Sequence, residues 1–384
     1  MTVYFDNAAT TRVDPRVTEL MVKIMNEDYG NPSSKYIMGL TAENYIKEAK
    51  ERIASSLKVK PSEIVFTSGG TESDNMALIG TAMARKKRGK HIISCNIEHA
   101  AIYKTLEFLE KEGFEISFIG VDEKGHVDLE ELKRTVRPDT ILVSMMYVNN
   151  EIGAIEPIAE ASRIVKSINP DCYFHTDAIQ AYGKLTIRPK KEGIDLLSVS
   201  SHKIHGPKGV GFIYINEKVR IEPIIFGGGQ QKDMRSGTEN VPGIAGLGLA
   251  AELYSKNHEE YIKRIRAVKD RLTERLEKIE GVKLNSLKGE ESAPQIVSAS
   301  FEGVRAEVLL HALEDKGVYV SSGSACSSNH PAISGTLKAI GIKKELLDST
   351  LRFSFGIFNE PEEADYCADC IEELLPVLRK YTRK

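Results

Sequence analysis

Phe66-Thr67-Ser68-Gly69-Gly70-Thr71-Glu72-Ser73-Asp74-Asn75 decides how this chain folds, because an apolar strand runs into two glycines and then into a helical stretch. Two glycines let a backbone approach an anion closely, and the N–H groups at a helix start have no acceptor inside the helix, so a phosphate is favoured there. Thr71 is placed to cap the helix, with Asp74 at its third position. Read alone, the turn serves equally well as an ordinary connection between strand and helix.

Outward from this turn, helical stretches alternate with short β-rich apolar runs over residues 14–250, among them Glu63-Ile64-Val65-Phe66, His91-Ile92-Ile93-Ser94 and Thr140-Ile141-Leu142-Val143-Ser144. Such alternation predicts an α/β domain with a mostly parallel sheet, whose ligands bind at the turns after the strands. Residues 258–280 repeat apolar positions at Ile262, Ile265, Val268, Leu272, Leu276 and Ile279 with a helix period, and Gly281 is placed to stop them. Beyond this connecting helix, Gln295–Phe301, Gly317–Val320 and Leu351–Ser354 read as strands, with helices around 304–315 and 361–380, giving a smaller α/β domain. There is no internal repeat or low-complexity tract, and Arg85-Lys86-Lys87-Arg88 reads as a solvated helix end or loop.

With 384 residues, 41% of them hydrophobic, the chain can bury a large core. Its 52 basic and 55 acidic residues are spread along the sequence, which argues against a nucleic-acid partner. The expectation is a cytoplasmic protein without a membrane partner: no secretory leader is readable after Met1, and no apolar run approaches the ~18 residues of a membrane span. Five cysteines at positions 95, 172, 326, 367 and 370 form no disulfide framework and suit a reducing compartment.

Two further clusters carry chemistry. In Phe174-His175-Thr176-Asp177-Ala178-Ile179-Gln180 a short strand ends in an acid, with an amide three residues on. A pyridoxal phosphate ring nitrogen needs a carboxylate partner to stay protonated, and Asp177 is the candidate, with Gln180 within reach of the ring's phenolic oxygen. A helix cap is an equally good reading of Asp177 taken alone. In Leu197-Ser198-Val199-Ser200-Ser201-His202-Lys203-Ile204-His205-Gly206-Pro207-Lys208-Gly209 a lysine stands at the mouth of an apolar strand, where desolvation lowers its pKa and suits it to a Schiff base. Lys203 is preferred over Lys208, which lies in a solvated Gly/Pro turn.

Asp6-Asn7-Ala8-Ala9-Thr10-Thr11, the Gly-Gly-Thr-Glu-Ser loop, Ser201-His202-Lys203, Arg235-Ser236-Gly237-Thr238 and Ser322-Gly323-Ser324-Ala325-Cys326 follow one another in this order. Across essentially the whole chain the sequence resembles the cysteine desulfurases of the NifS/IscS-like type, members of the class-V aminotransferase family. The resemblance implies a fold-type I pyridoxal phosphate enzyme. Its large cofactor-binding domain, residues 14–257, would carry a mostly parallel seven-stranded sheet, and residues 1–13 and 258–384 would form the smaller domain with the catalytic cysteine. It implies that Lys203 holds the cofactor, Asp177 pairs with the ring nitrogen, Gln180 bonds the phenolic oxygen, and His99 stacks on the ring and shuttles protons. Gly70, Thr71, Ser200 and His202 fall at cofactor-binding positions. Thr238 resembles the residue that reaches the phosphate from the partner subunit, implying a homodimer. Arg352 matches the arginine that holds the substrate carboxylate, and Asn31 and Asn150 match neighbouring substrate contacts. The implied reaction converts L-cysteine to L-alanine and leaves a persulfide on Cys326, which passes to an acceptor such as an iron–sulfur scaffold or thiolation enzyme.

Cys326 lies in a run of small and polar residues too hydrophilic for a core, so the sequence predicts a loop there. Cys95 and Cys172 adjoin strands, and Cys367-x-x-Cys370 falls inside a helical pattern without a second ligand pair, so no metal is assigned. A selenocysteine lyase or a class-V aminotransferase would use the same pocket, although transamination has no use for the Cys326 loop. A different class of reading is a non-catalytic assembly partner that keeps the cofactor as a structural element. His205 departs from the family pattern, which carries an aromatic residue there; the change either tunes local charge or replaces an aromatic wall.

Overall fold

The computed structural model describes residues 1–322 and 334–381. Its strands are β1 (Val3–Tyr4), β2 (Ile64–Thr67), β3 (His91–Cys95), β4 (Glu115–Ile119), β5 (Thr140–Ser144), β6 (Tyr173–Asp177), β7 (Leu196–Ser200), β8 (Gly211–Ile215), β9 (Val282–Leu284), β10 (Ile296–Phe301), β11 (Val318–Tyr319) and β12 (Thr350–Ser354). Seven of them form one sheet in the order β2-β8-β7-β6-β5-β3-β4. Only β8 runs against its neighbours, pairing antiparallel with both β2 and β7. β2, β3, β5 and β7 are buried at every residue, so they show no alternation of buried and exposed positions, as expected of strands covered by helices on both faces. The α/β fold with a mostly parallel seven-stranded sheet is therefore as the sequence and its resemblance imply.

The remaining strands form two small sheets. β9, β10 and β12 make an antiparallel sheet in the order β12-β10-β9. The helix His258–Leu276 packs against it, with helix Pro361–Leu378 packed on that helix, and it buries Ile265, Val268, Leu272 and Leu276, four of the six period-matched positions of the sequence. That helix ends four residues before the expected stop. Lys278 and Ile279 bond back three residues to Arg275 and Leu276, a tighter winding, and Gly281 with φ +72° then turns the chain into β9. β11 does not join this sheet; it pairs in parallel with β1, tying the N-terminus beside it.

That pairing matters for the site. From β1 the segment 6–11 runs past β12, where Ala8 N–H donates to the Ser354 hydroxyl, and on to the turn after β7, where Thr11 N–H donates to the His202 carbonyl. It thus crosses the end of the large sheet at which β2, β3, β5, β6 and β7 all finish. No helix among the described residues is long and apolar enough to cross a membrane.

Candidate active site

The β2 turn differs from its predicted cap. The helix spans Gly70–Arg85 with Gly69 as its N-cap residue at φ +153° and no side-chain cap, so Thr71 stands second and Asp74 fifth. Glycine makes this possible: a Cβ at Gly70 would lie 2.1 Å from Ile179 Cδ1. The first-turn N–H groups are consequently left without a capping side chain, and Ser200, at the end of β7, lies against the turn. Thr71 and His99 line one cavity of about 430 Å³ with Asn75, Lys104 and Phe108.

Lys203 ends a 3₁₀ turn, Ser201–Lys203, directly after β7. Its Nζ donates to the carbonyls of Ala8 at 2.5 Å and Ala9 at 2.8 Å. The Ala8 carbonyl also accepts from Gln180 Nε2 at 3.0 Å, so one carbonyl of the N-terminal segment gathers the amine and the amide. His202 Nδ1 lies 3.2 Å from the Thr10 hydroxyl; burial, then the Lys203, Lys208 and Lys184 charges, push its pKa down to about 4. Lys208 is exposed, as its Gly/Pro turn predicts.

Asp177 closes β6. Its Oδ1 accepts from Ile179 N–H at 2.9 Å in a turn rather than a helix, so it caps no helix. Burial raises its pKa, opposed by the charges of His99 and Lys203 and by the Ile179 N–H. Behind it sits Asp74, fully buried, with neither oxygen hydrogen-bonded. Burial and then the Asp177 charge hold the Asp74 carboxyl well above the ordinary range, with the Ser198 hydroxyl acting in the opposite direction. His175 Nε2 is 3.7 Å from Asp74 and 3.0 Å from the Ser198 hydroxyl, while Nδ1 meets the Ser144 hydroxyl at 2.9 Å. Burial pushes His175 down to about 3, so its ring is neutral. Asp74 and this hydroxyl–imidazole layer thus lie behind Asp177, the acid on which the His99 and Lys203 charges act.

His99 is the N-cap of helix Ala100–Lys111: its Nδ1 accepts from Ala101 N–H at 3.1 Å, so in the neutral ring the proton sits on Nε2. The preceding Glu98 is buried and pushed up to about 8, chiefly by burial. Its Oε1 accepts from Met146 N–H at 2.7 Å, fixing the β3 turn against the β5 turn.

Arg352 on β12 is 4% exposed. Its Nη2 donates to Asp6 Oδ1 at 2.9 Å and its Nη1 to the Asn150 carbonyl at 3.0 Å, while Nε has no acceptor. Asn150 follows β5, so the structure brings these two substrate candidates together. Asn31 is exposed in the connection before helix Ile37–Leu57, with Oδ1 accepting from Ser33 N–H, and Thr238 is exposed on the segment between β8 and helix Val241–Lys256.

Cys326 lies outside the described residues. On one side, Ser321 pairs backbone-to-backbone with Arg352. On the other, the Ser334 hydroxyl donates to Glu151 Oε2 at 2.5 Å and caps helix Gly335–Ala339 through Leu337 N–H. The four described cysteines are all buried and unpaired, with Cys172 pushed up to about 12 by burial and Cys95 raised well above its ordinary value for the same reason.

The aminotransferase class-V family model matches residues 3–367. The chain belongs to the class-V aminotransferase family. Within this class-V family, the cysteine desulfurase IscS of Methanosarcina thermophila is 45% identical over 377 residues, covering 98% of this chain and 93% of that protein. The mitochondrial cysteine desulfurase of Saccharomyces cerevisiae is 43% identical over 381 residues, 98% of this chain and 76% of that protein. Among solved structures, a NifS-like protein superposes with a TM-score of 0.93 at 41% identity, covering 98% of this chain and all of the other. The class-V chain is thus similar to cysteine desulfurases from end to end, and the family is one of pyridoxal phosphate enzymes.

His205 settles the alternative left open by the sequence. Its ring stacks on Tyr254 and meets Phe358 edge-on; Nδ1 donates to the Arg12 carbonyl at 2.8 Å and Nε2 accepts from Ile357 N–H. Burial keeps it neutral, with a pKa of about 4, so it replaces an aromatic wall.

Proposed function

We propose that this enzyme is a pyridoxal phosphate-dependent cysteine desulfurase. The observation that carries the reading is the convergence of Lys203, Gln180 and Arg352, from the turns after β7 and β6 and from β12, on the segment 6–9, with the Asp177 carboxyl under the Lys203 charge. The residues fit the cofactor. The Gly69–Gly70 turn, with Ser200 against it, offers uncapped N–H groups to a phosphate. A buried carboxyl closes β6, and an amine at the end of β7 is held by neutral carbonyls.

When bound, pyridoxal phosphate supplies an electron sink for the carbanion formed at the substrate's α-carbon. Lys203 would bind it covalently through Nζ, and Asp177 would hold a proton at the ring nitrogen, with the neutral His175 ring and the Asp74 carboxyl, whose ionisation burial disfavours, behind it. Gly70, Thr71, Ser200 and His202 would hold the phosphate, with Gln180 at the phenolic oxygen. His99, its Nδ1 occupied, presents Nε2 for stacking and proton transfer. Arg352, braced by Asp6 and Asn150, would bind the carboxylate of L-cysteine. The Cys326 sulfur attacks the substrate sulfur: the substrate C–S bond breaks, an S–S bond forms, a proton replaces sulfur on the β-carbon, and alanine and the Cys326 persulfide are left. The persulfide then passes to an acceptor protein such as an iron–sulfur scaffold or a thiolation enzyme.

We further propose a homodimer in which Thr238 reaches the phosphate of the other subunit's site, with Asn31 as a further substrate contact. The test is the absorption spectrum of the purified protein before and after L-cysteine, with alanine quantified. A visible band of lysine-bound pyridoxal that changes as alanine appears is expected; a band without alanine refutes the substrate, and no band refutes the cofactor.

A further inference from the structure

A second buried amine beside Lys203 has no part in that reaction scheme. Lys184 follows Gly183, whose φ of +79° turns the chain at a point where a Cβ would lie 3.0 Å from Ile204 and Tyr254. The turn aims Lys184 beneath Ser201–Lys203. Lys184 is 5% exposed, and its Nζ donates to the Lys203 carbonyl at 2.5 Å. Burying an ammonium is costly unless it is paired, yet among the described residues no carboxylate forms an ion pair with Lys184. The charge that acts on it directly is that of Lys203, while the neighbouring His202 and His205, which feel the Lys184 charge, are themselves pushed toward the neutral form by burial, and Lys208 acts on His202. The acids in this zone are Asp14, acting on His205, and Asp177, on which the Lys203 charge acts. Burial first, and then the Lys203 charge, push the Lys184 amine down to about 7.

Two amines in one poorly solvated region cannot both hold protons cheaply, and a cationic neighbour activates a lysine by favouring its neutral form. We propose that Lys184 is a positioning residue for Lys203: its hydrogen bond fixes the carbonyl of the Ser201–Lys203 turn, and its charge disfavours a proton on the Lys203 nitrogen, both as the free amine that attacks a carbonyl carbon and when bound to the cofactor. The proposal rests on the reading of Lys203 as the cofactor lysine.

The test is a spectrophotometric pH titration of the purified holoprotein, following the visible band of the lysine-bound cofactor in wild type, Lys184→Met and Lys184→Arg, with melting curves as a check on folding. The Met variant is expected to titrate with a midpoint about one pH unit higher than wild type, and the Arg variant, always charged, at or below wild type. A merely structural role would move both in the same direction. An unchanged midpoint in the Met variant, or a raised one in the Arg variant, overturns the proposal. Should the Met variant fail to fold, the Arg variant alone decides by the same criterion. A wild-type protein with no titrating visible band refutes the role of Lys203 itself, an outcome distinct from failure of the Lys184 proposal.

Discussion

The backbones of Ser321 and Arg352 exchange two hydrogen bonds, 3.1 Å from Ser321 N to Arg352 O and 2.7 Å from Arg352 N to Ser321 O. The strand that carries the candidate carboxylate ligand therefore also holds the chain just before the segment containing Cys326. Ser334, just beyond that segment, bonds to Glu151, next to Asn150, which accepts from Arg352. The candidate carboxylate ligand and the chain on either side of the cysteine segment thus share one set of anchors.

Replacing Arg352 by Lys keeps the charge but loses the planar fork that Asp6 and Asn150 hold in place. The expected loss in kcat/KM for L-cysteine is about 100-fold, with the visible band of the bound cofactor unchanged. Steady-state kinetics with alanine detection checks this, and wild-type kcat/KM in Arg352→Lys would assign the carboxylate to another residue.

Gly70→Ala puts a methyl group 2.1 Å from Ile179 Cδ1 at the mouth of the proposed phosphate cradle. Overpacking of this kind costs about 1–3 kcal/mol. A titration of stripped protein with pyridoxal phosphate should show affinity lowered at least about tenfold. Unchanged affinity would place the phosphate elsewhere.

Buried Glu156 accepts from Val127 N–H with one oxygen and leaves the other without a partner, and burial pushes its pKa from 4.5 up to about 8. The folded state keeps a proton that the unfolded chain releases, so this group's contribution is full below pH 4.5 and is lost as pH rises toward about 8. Glu156→Gln removes that loss. Denaturant unfolding at a series of pH values should show the variant gaining on wild type by up to about 1.4 kcal/mol per pH unit across this window, with no further gain above it. A constant difference between the two proteins would mean that Glu156 is ionised in the folded state.

His205→Phe keeps the ring between Tyr254 and Phe358 and deletes the donor to Arg12. A stability loss of about 1–2 kcal/mol is expected, with the pH dependence of turnover above neutrality unaltered, because the histidine is already neutral there. A shifted alkaline limb would restore the charge-tuning role that the neutral ring excludes.

How far the sequence could be read depended on whether local pattern or long-range contact decides the structure. Strands such as β5 are legible because three consecutive β-prone apolar residues, Ile141, Leu142 and Val143, sit at its centre, and the helix His258–Leu276 because its buried positions keep a helix period. The helix cap at Thr71 was misplaced, since Gly69 starts the helix through its own backbone freedom and leaves no side-chain signal. Lys203, Asp177 and Arg352 stood out at strand ends or in matching motifs. Asp74, His175 and Lys184 did not, because each acquires its character from neighbours distant in sequence: Asp74 from Asp177 and the β6–β7 hydroxyl layer, Lys184 from the Lys203 carbonyl. The Ala8 and Ala9 carbonyls were illegible for the same reason, as a peptide oxygen has no residue type to betray its partner.

The central claim is that sulfur leaves L-cysteine for Cys326. The most direct measurement is a single-turnover reaction of the holoprotein with L-cysteine, quantifying alanine and locating the added sulfur by peptide mass spectrometry, with Cys326→Ala in parallel. Wild type should yield alanine and a sulfur-bearing Cys326 in equal amounts, and the variant should keep its visible cofactor band but form no persulfide. Alanine without sulfur on Cys326, or undiminished turnover by Cys326→Ala, would contradict it.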